Sequence, residues 1–278
     1  MTLLHLYVRN TIFVALAMQN EHVLLYASRV PTTPNQPLTT EQMMPTLTST
    51  ATDDRFITTD EAPGGPRFGT VVLDVDSTIS GIEGIDWLAR RRGEIIAKRV
   101  STLTEEAMRG AVPLEHVYGT RLATIRPRRE DLDALSRAYV EALAPGVVET
   151  LAQLRRAGVQ IVLMSGGLRH ALVRLAFHLG VDLADLHAVD VRFDALGAYT
   201  GFDTQSTLTT SDGKTKQLAK LKLDGPVLIV GDGATDLGMR RVTGQFAAFT
   251  GFVTREPVVS QADFTIDSFE ELASLVLS

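Results

Sequence analysis

Three uninterrupted apolar runs, each ending in a polar or glycine-rich turn, constrain this chain most. They are TVVLDV (70–75), VQIVLMSGG (159–167) and GPVLIVGDG (225–233). A strand with one face in water alternates apolar and polar residues. A run that does not alternate suits a strand buried on both faces, as in a parallel sheet covered by helices. The segments between the runs supply those helices. GVVETLAQLRRAG (146–158) has apolar residues at helical spacing and predicts a C-cap at Gly158. GGLRHALVRLAFHLG (166–180) predicts a helix directly after the second run. FAAF (246–249) and FTI (264–266) predict edge strands, and VDVRFDALGAYTGFDT (189–204) predicts a β-hairpin. The fold class is therefore α/β, a Rossmann-like doubly wound parallel sheet. Its ligands belong at the carboxyl ends of the strands.

One long stretch departs from this alternation. From about Glu83 to Ala144 every segment reads as helix: IDWLARRRGEIIAKRV, TEEAMRG and LEHVYGTRLATI. Inserted after the first strand, such a stretch would sit over the carboxyl edge as a lid. The predicted organisation is a core of 67–82 and 146–278 with a helical cap over 83–145. Residues 1–66 differ in composition. Pro31 to Pro66 is rich in Thr, Pro and Asp and favours a disordered or loosely attached segment. TIFVALAM (11–18) is apolar but short, a weak match to a secretory signal. A non-catalytic extension, a targeting peptide and a start codon placed too far upstream all stay open.

Composition narrows the function. Net charge is −6, which leaves no basic surplus for a nucleic-acid partner. No stretch has the ~20 apolar residues needed to span a bilayer. There is no cysteine, so disulfides, thiolate catalysis and zinc–thiolate sites are excluded. That suits a reducing compartment and suggests the cytoplasm, with organelle targeting by the extension left open. A homodimer also stays open.

Each run delivers chemistry at its end. The first gives Asp74 and Asp76, the second Ser165 with Gly166 and Gly167, the third Asp232 and then Asp236. Lys214, in SDGKTKQLAKL, opens a predicted helix between the last two. Like charges ~4 Å apart repel by ~4 kcal/mol at an effective dielectric of ~20. Four converging carboxylates therefore need a cation, and an oxygen-only ligand set points to Mg2+. Ser165 and the glycine N–H groups can hold phosphate oxygens, and Lys214 supplies a positive charge beside them. Together these groups imply phosphoryl transfer. Asp74 would be the nucleophile that forms an aspartyl phosphate; Asp76 would protonate the leaving alcohol and then deprotonate water. Singly, each has an ordinary explanation: a solvated turn or helix cap for DxD, a plain turn for SGG, a surface lysine. The ordered set is what points to chemistry.

The string DVDST … MSGG … GKTKQL … GDGATD resembles the haloacid dehalogenase-like phosphatases, within them the branch acting on phosphoserine, over roughly residues 68–277. The resemblance implies hydrolysis of O-phosphoserine as the last step of serine biosynthesis. Another small phosphomonoester, such as phosphothreonine or phosphoethanolamine, is the alternative. It implies Mg2+ on Asp74, the backbone carbonyl of Asp76, and Asp232, with Asp236 supporting. Ser165, Gly166 and Lys214 would bind phosphate. In the cap, Glu83 would meet the substrate ammonium, Arg121 the carboxylate, and Met108 an apolar part. Thr235 stands where some members carry Asn, and Leu114 replaces a frequent aromatic. A receiver-like module that stores an aspartyl phosphate uses similar groups, but gains nothing from Asp76 as a proton shuttle. A catalytically dead binding protein is opposed by the complete set.

Overall fold

The computed structural model describes residues 4–8, 11–15, 25–27, 65–108 and 112–278. It divides into two units, of which the first holds three strands, β1 (Leu4–Val8), β2 (Thr11–Ala15) and β3 (Leu25–Ala27). They pair antiparallel in the order β1-β2-β3, so part of the TIFVALAM segment is strand. The Thr- and Pro-rich stretch after it lies outside the described residues.

The second unit is built on six parallel strands. β4 (Thr70–Leu73), β5 (Gln160–Leu168) and β6 (Leu186–Val189) form one half. β9 (Val227–Gly231), β10 (Phe246–Phe249) and β11 (Phe264–Ile266) form the other. The order is β11-β10-β9-β4-β5-β6. Val72 pairs with Val162 on one side and Ile229 on the other. Strand order thus reverses at β4, the point where open α/β sheets place ligands. The continuous apolar runs have their cause here: all of β4 and β10 is buried. The two-stranded ribbon of β7 (Val191–Phe193) and β8 (Tyr199–Phe202) is the predicted hairpin.

Between β4 and β5 come α1 (Gly84–Arg91), α2 (Glu94–Met108), α3 (Leu114–Ile125), α4 (Arg129–Glu141) and α5 (Val147–Arg156). Leu88, Val100, Leu122, Leu132, Leu135 and Tyr139 bury one face of the first four helices, and this cluster is continuous with the core of the sheet. Trp87 packs half-buried at its margin under Arg91. α5 buries Val147, Leu151 and Leu154 and is released by Gly158 at φ +83°. That value lies in the left-handed region that glycine enters without steric cost.

The remaining helices are α6 (Arg169–Leu179), α7 (Gly213–Leu218), α8 (Ala234–Thr243), α9 (Glu256–Val259) and α10 (Phe269–Leu277). One boundary differs from the sequence reading. The helix read from 166 starts at Arg169, because Ser165, Gly166 and Gly167 continue β5 as extended backbone. Among the described residues no helix is long and apolar enough to cross a membrane.

Candidate active site

The carboxyl ends of β4 and β9 bring three carboxylates together. Asp74 follows β4, and its backbone N–H donates to the Val230 carbonyl at 2.9 Å. Asp232 follows β9, and Asp236 lies in the first turn of α8. One oxygen from each of the three lies within 4.8 Å of the others, and all three residues are buried. Asp236 reaches this position because residue 231 is glycine: a Cβ there would overlap its carboxyl carbon. The Gly233 N–H then holds Asp236 Oδ2 at 3.0 Å.

Buried Lys214, on the first turn of α7, answers part of this charge. Its Nζ lies 2.6 Å from Asp74 Oδ1 and 2.7 Å from Asp236 Oδ1. Burial works against the ammonium, but Asp236 and Asp74 outweigh it and raise the lysine pKa. One lysine does not balance three carboxylates. Burial and the Asp74 charge push Asp236 up to about 7, and burial with Asp74 and Asp236 pushes Asp232 up to about 8. Asp232 also receives a hydrogen bond from Thr78 Oγ1 at 3.4 Å and an ion pair from Arg255. A tight, oxygen-only, under-neutralised donor set fits a hard divalent cation.

Asp76 stands apart from this cluster. Its Oδ1 accepts the Tyr139 hydroxyl at 2.6 Å and its Oδ2 the Gly84 N–H at 2.8 Å. Burial first, then the charge of Glu83, pushes it up to about 7. A carboxyl group that keeps a proton near neutrality suits a general acid. The metal set implied by the resemblance was Asp74, the backbone carbonyl of Asp76, and Asp232, with Asp236 in support. The carboxylates that converge are Asp74, Asp232 and Asp236, with the Asp76 side chain engaged elsewhere. Ser77 turns the chain immediately after Asp76 with φ +54°.

A cavity of about 160 Å³ opens over these groups. Asp74, Asp76, Ser165, Gly166, Lys214 and Thr235 line its floor. Ser165 is buried, and its Oγ accepts the Gly167 N–H at 2.9 Å. The helical segment between β4 and β5 supplies the walls with Glu83, Asp86, Leu114, Tyr118 and Arg121. Arg121 is 8% exposed; its Nη1 donates to Thr104 at 3.1 Å while its Nε has no partner. Burial lowers its pKa against the opposing pull of Asp86. Glu83 precedes α1 in a half-exposed position, where its Oε1 accepts the Ser77 hydroxyl at 2.7 Å and lies 3.9 Å from Arg255. Partial desolvation raises its pKa despite that hydrogen bond. Met108 ends α2, and its side chain lies outside the described residues.

Sequence reasoning missed several members of this site. Tyr118 donates to the Gly166 carbonyl at 2.8 Å and ties α3 to β5. Tyr139 and Arg255 sit in a helix and a loop with no local signature. Ser77 and Thr78 belong to the quoted DVDST string, but only their contacts give them roles.

Comparison with known proteins agrees with this geometry. Residues 68–244 match the family model described as haloacid dehalogenase-like hydrolase. A phosphoserine phosphatase of Bos taurus is 37% identical over 205 residues, 73% of this chain and 90% of the relative. A chloroplastic phosphoserine phosphatase of Arabidopsis thaliana is 35% identical over 207 residues, covering 73% of this chain and 70% of its own. The crystal structure of a phosphoserine phosphohydrolase-like protein from Francisella tularensis superposes with a TM-score of 0.67 at 24% identity. It covers 76% of this chain and 100% of that one, and shares the fold. The chain belongs to the haloacid dehalogenase-like hydrolase family.

Proposed function

We propose that the chain hydrolyses O-phosphoserine to serine and phosphate, using Mg2+ and an aspartyl-phosphate intermediate on Asp74, as the last step of serine biosynthesis. The observation that carries the reading is the pairing of two half-sites across one small cavity. On the floor Lys214 spans Asp74 and Asp236; on the wall a buried guanidinium, Arg121, keeps an N–H free. A zwitterionic phosphomonoester complements both halves. The phosphoryl group meets Lys214, Ser165 and the Gly166 backbone, and the carboxylate meets Arg121, whose planar fork suits it. The ammonium meets Glu83. The relatives' names, phosphoserine phosphatase, support the same substrate.

Asp74 attacks phosphorus, and Asp76 gives its proton to the departing serine oxygen. Water then attacks the aspartyl phosphate while Asp76 takes the water proton, restoring both carboxyl groups. Mg2+, held by Asp74, Asp232, the Asp76 carbonyl and the support of Asp236, would neutralise the carboxylates and the phosphoryl oxygens. Residues 83–145 form the cap that covers the substrate and excludes bulk water.

The test is a substrate panel of O-phosphoserine, O-phosphothreonine, phosphoethanolamine and p-nitrophenyl phosphate, with and without EDTA. We expect phosphoserine to lead in kcat/KM and EDTA to abolish turnover. A phosphoserine rate no better than that of the aryl ester overturns the substrate; full activity in EDTA overturns the metal.

A further inference from the structure

Tyr139 is fully buried on α4, and its hydroxyl donates to Asp76 Oδ1 at 2.6 Å. The other carboxylate oxygen accepts the Gly84 N–H at the start of α1. Both donors come from the helical segment, whereas Asp76 comes from the end of β4. The terminal torsion of an aspartate is soft. Two donors, one on each oxygen, fix the plane of this carboxyl group. The phenol itself is wedged in place. A Cβ at Gly84 would overlap the Tyr139 oxygen, and one at Gly167 would lie 3.6 Å from it. The hydroxyl therefore fills the space between α1 and the end of β5, where it has no room to turn away.

The geometry points to Tyr139 as a positioning residue for proton delivery, one that keeps Asp76 aimed at the ester oxygen and steadies it once the proton has left. The inference rests on the phosphoryl-transfer reading above. In the first half-reaction an Asp74 oxygen bonds to phosphorus and the bond from phosphorus to the ester oxygen breaks. The electron pair goes to that oxygen, which takes the proton from Asp76. In the second half, a water oxygen bonds to phosphorus, the Asp74–phosphorus bond breaks, and the water proton returns to Asp76. Each carboxyl oxygen has a second lone pair, so the mobile proton does not compete with either donor. Tyr139 keeps its own proton throughout. Its hydrogen bond strengthens as Asp76 becomes an anion, because an ionised acceptor binds a donor more tightly than a neutral one. The phenol therefore stabilises the state that is reached as the alcohol departs.

The experiment measures kcat/KM of the Mg2+-loaded wild type and of Tyr139→Phe on p-nitrophenyl phosphate, phenyl phosphate and O-phosphoserine. This ratio runs through departure of the alcohol and leaves out hydrolysis of the phosphoenzyme. Nitrophenolate leaves with little help from a proton, phenolate needs more, and the serine oxygen needs most. General acid help is worth ~10²–10⁴-fold, and misaiming forfeits part of it. We expect a loss within ~3-fold on the nitrophenyl ester, ~10-fold on the phenyl ester and ~30-fold or more on phosphoserine. The two aryl esters carry neither ammonium nor carboxylate, so recognition by the cap does not enter their comparison.

Equal losses on all three esters would make Tyr139 merely structural and overturn the proposal. So would a loss confined to phosphoserine with the aryl esters unmoved, which would be a recognition effect. Gly84→Ala tests the same point with the phenol present but displaced, and the same order of losses is expected. Inhibition by inorganic phosphate, which needs no proton transfer, should stay within ~3-fold in either variant. A wild type without preference for phosphoserine would overturn the substrate reading alone, because the order across the aryl esters is still measured.

Discussion

The floor and the wall of the cavity are built by different means. On the floor, Asp74, Ser165 and Asp232 lie on or directly after strands whose ladders are bonded on both sides. Their positions inherit the rigidity of the sheet. On the wall, Glu83 stands just before α1, Asp86 within it, and Arg121 on α3. Glu83 is half-exposed, and Asp86 and Arg121 each keep a buried polar atom without a partner. An unpaired buried group costs ~1–3 kcal/mol. The wall therefore carries unmet hydrogen-bonding capacity that a ligand can satisfy, while the floor is already cross-linked. On the proposed reading, the floor fixes what reaction occurs, and the wall fixes on whom.

The contrast can be broken experimentally. Asp74→Asn should reduce every ester to background and abolish phosphoenzyme formation, read by acid-quench labelling. Asp76→Asn should cost ~10²–10⁴-fold in turnover of phosphoserine, measured at saturating substrate. Arg121→Ala should cost ~10–10²-fold in kcat/KM on phosphoserine, the worth of a charge-assisted hydrogen bond, and leave p-nitrophenyl phosphate nearly unchanged. An equal loss on both esters would erase the division between floor and wall.

Two stability measurements sharpen it. Burial and neighbouring negative charge raise Asp232 to about 8 and Asp236 to about 7, against about 3.9 for an ordinary aspartate. Between about pH 4 and pH 8 the folded chain then holds protons that the unfolded chain has released, so stability falls as pH rises through this window. Thermal unfolding of the Mg2+-free protein should show a lower Tm at pH 8 than at pH 5, and Mg2+ should flatten the slope. A slope of opposite sign would mean that these carboxylates are already neutralised. Gly231→Ala should cost ~1–3 kcal/mol by denaturant unfolding, because Asp236 must yield to the new methyl group.

What the sequence made legible follows from burial. β4, β5 and β9 could be read because covering both faces of a strand leaves an unbroken apolar run. β6 could not: LHAV is short, His187 and Ala188 are half-buried, and nothing distinguishes it from a loop. The start of α6 was misplaced because GG followed by a helical pattern looks like a turn, whereas both glycines extend β5. Asp74, Asp76, Ser165, Lys214 and Asp232 were legible because each lies beside a local pattern. Tyr139 meets Asp76 across 63 positions of sequence, and Arg255 meets Asp232 across 23. A lone aromatic in a helix and an arginine in a loop announce nothing until the chain has folded.

The place of β4 in the sheet bears on how the protein comes into being. Its two neighbours are far from it in the chain, one beginning at Gln160 and the other at Val227. Closing such long loops is slow compared with local helix formation. During synthesis Asp74 emerges early, whereas Asp232 and Asp236, the two carboxylates that converge with it, leave the ribosome last. A chain terminated before residue 226 would lack two of the three converging carboxylates, and on the proposed reading it would be inert however much of it had folded.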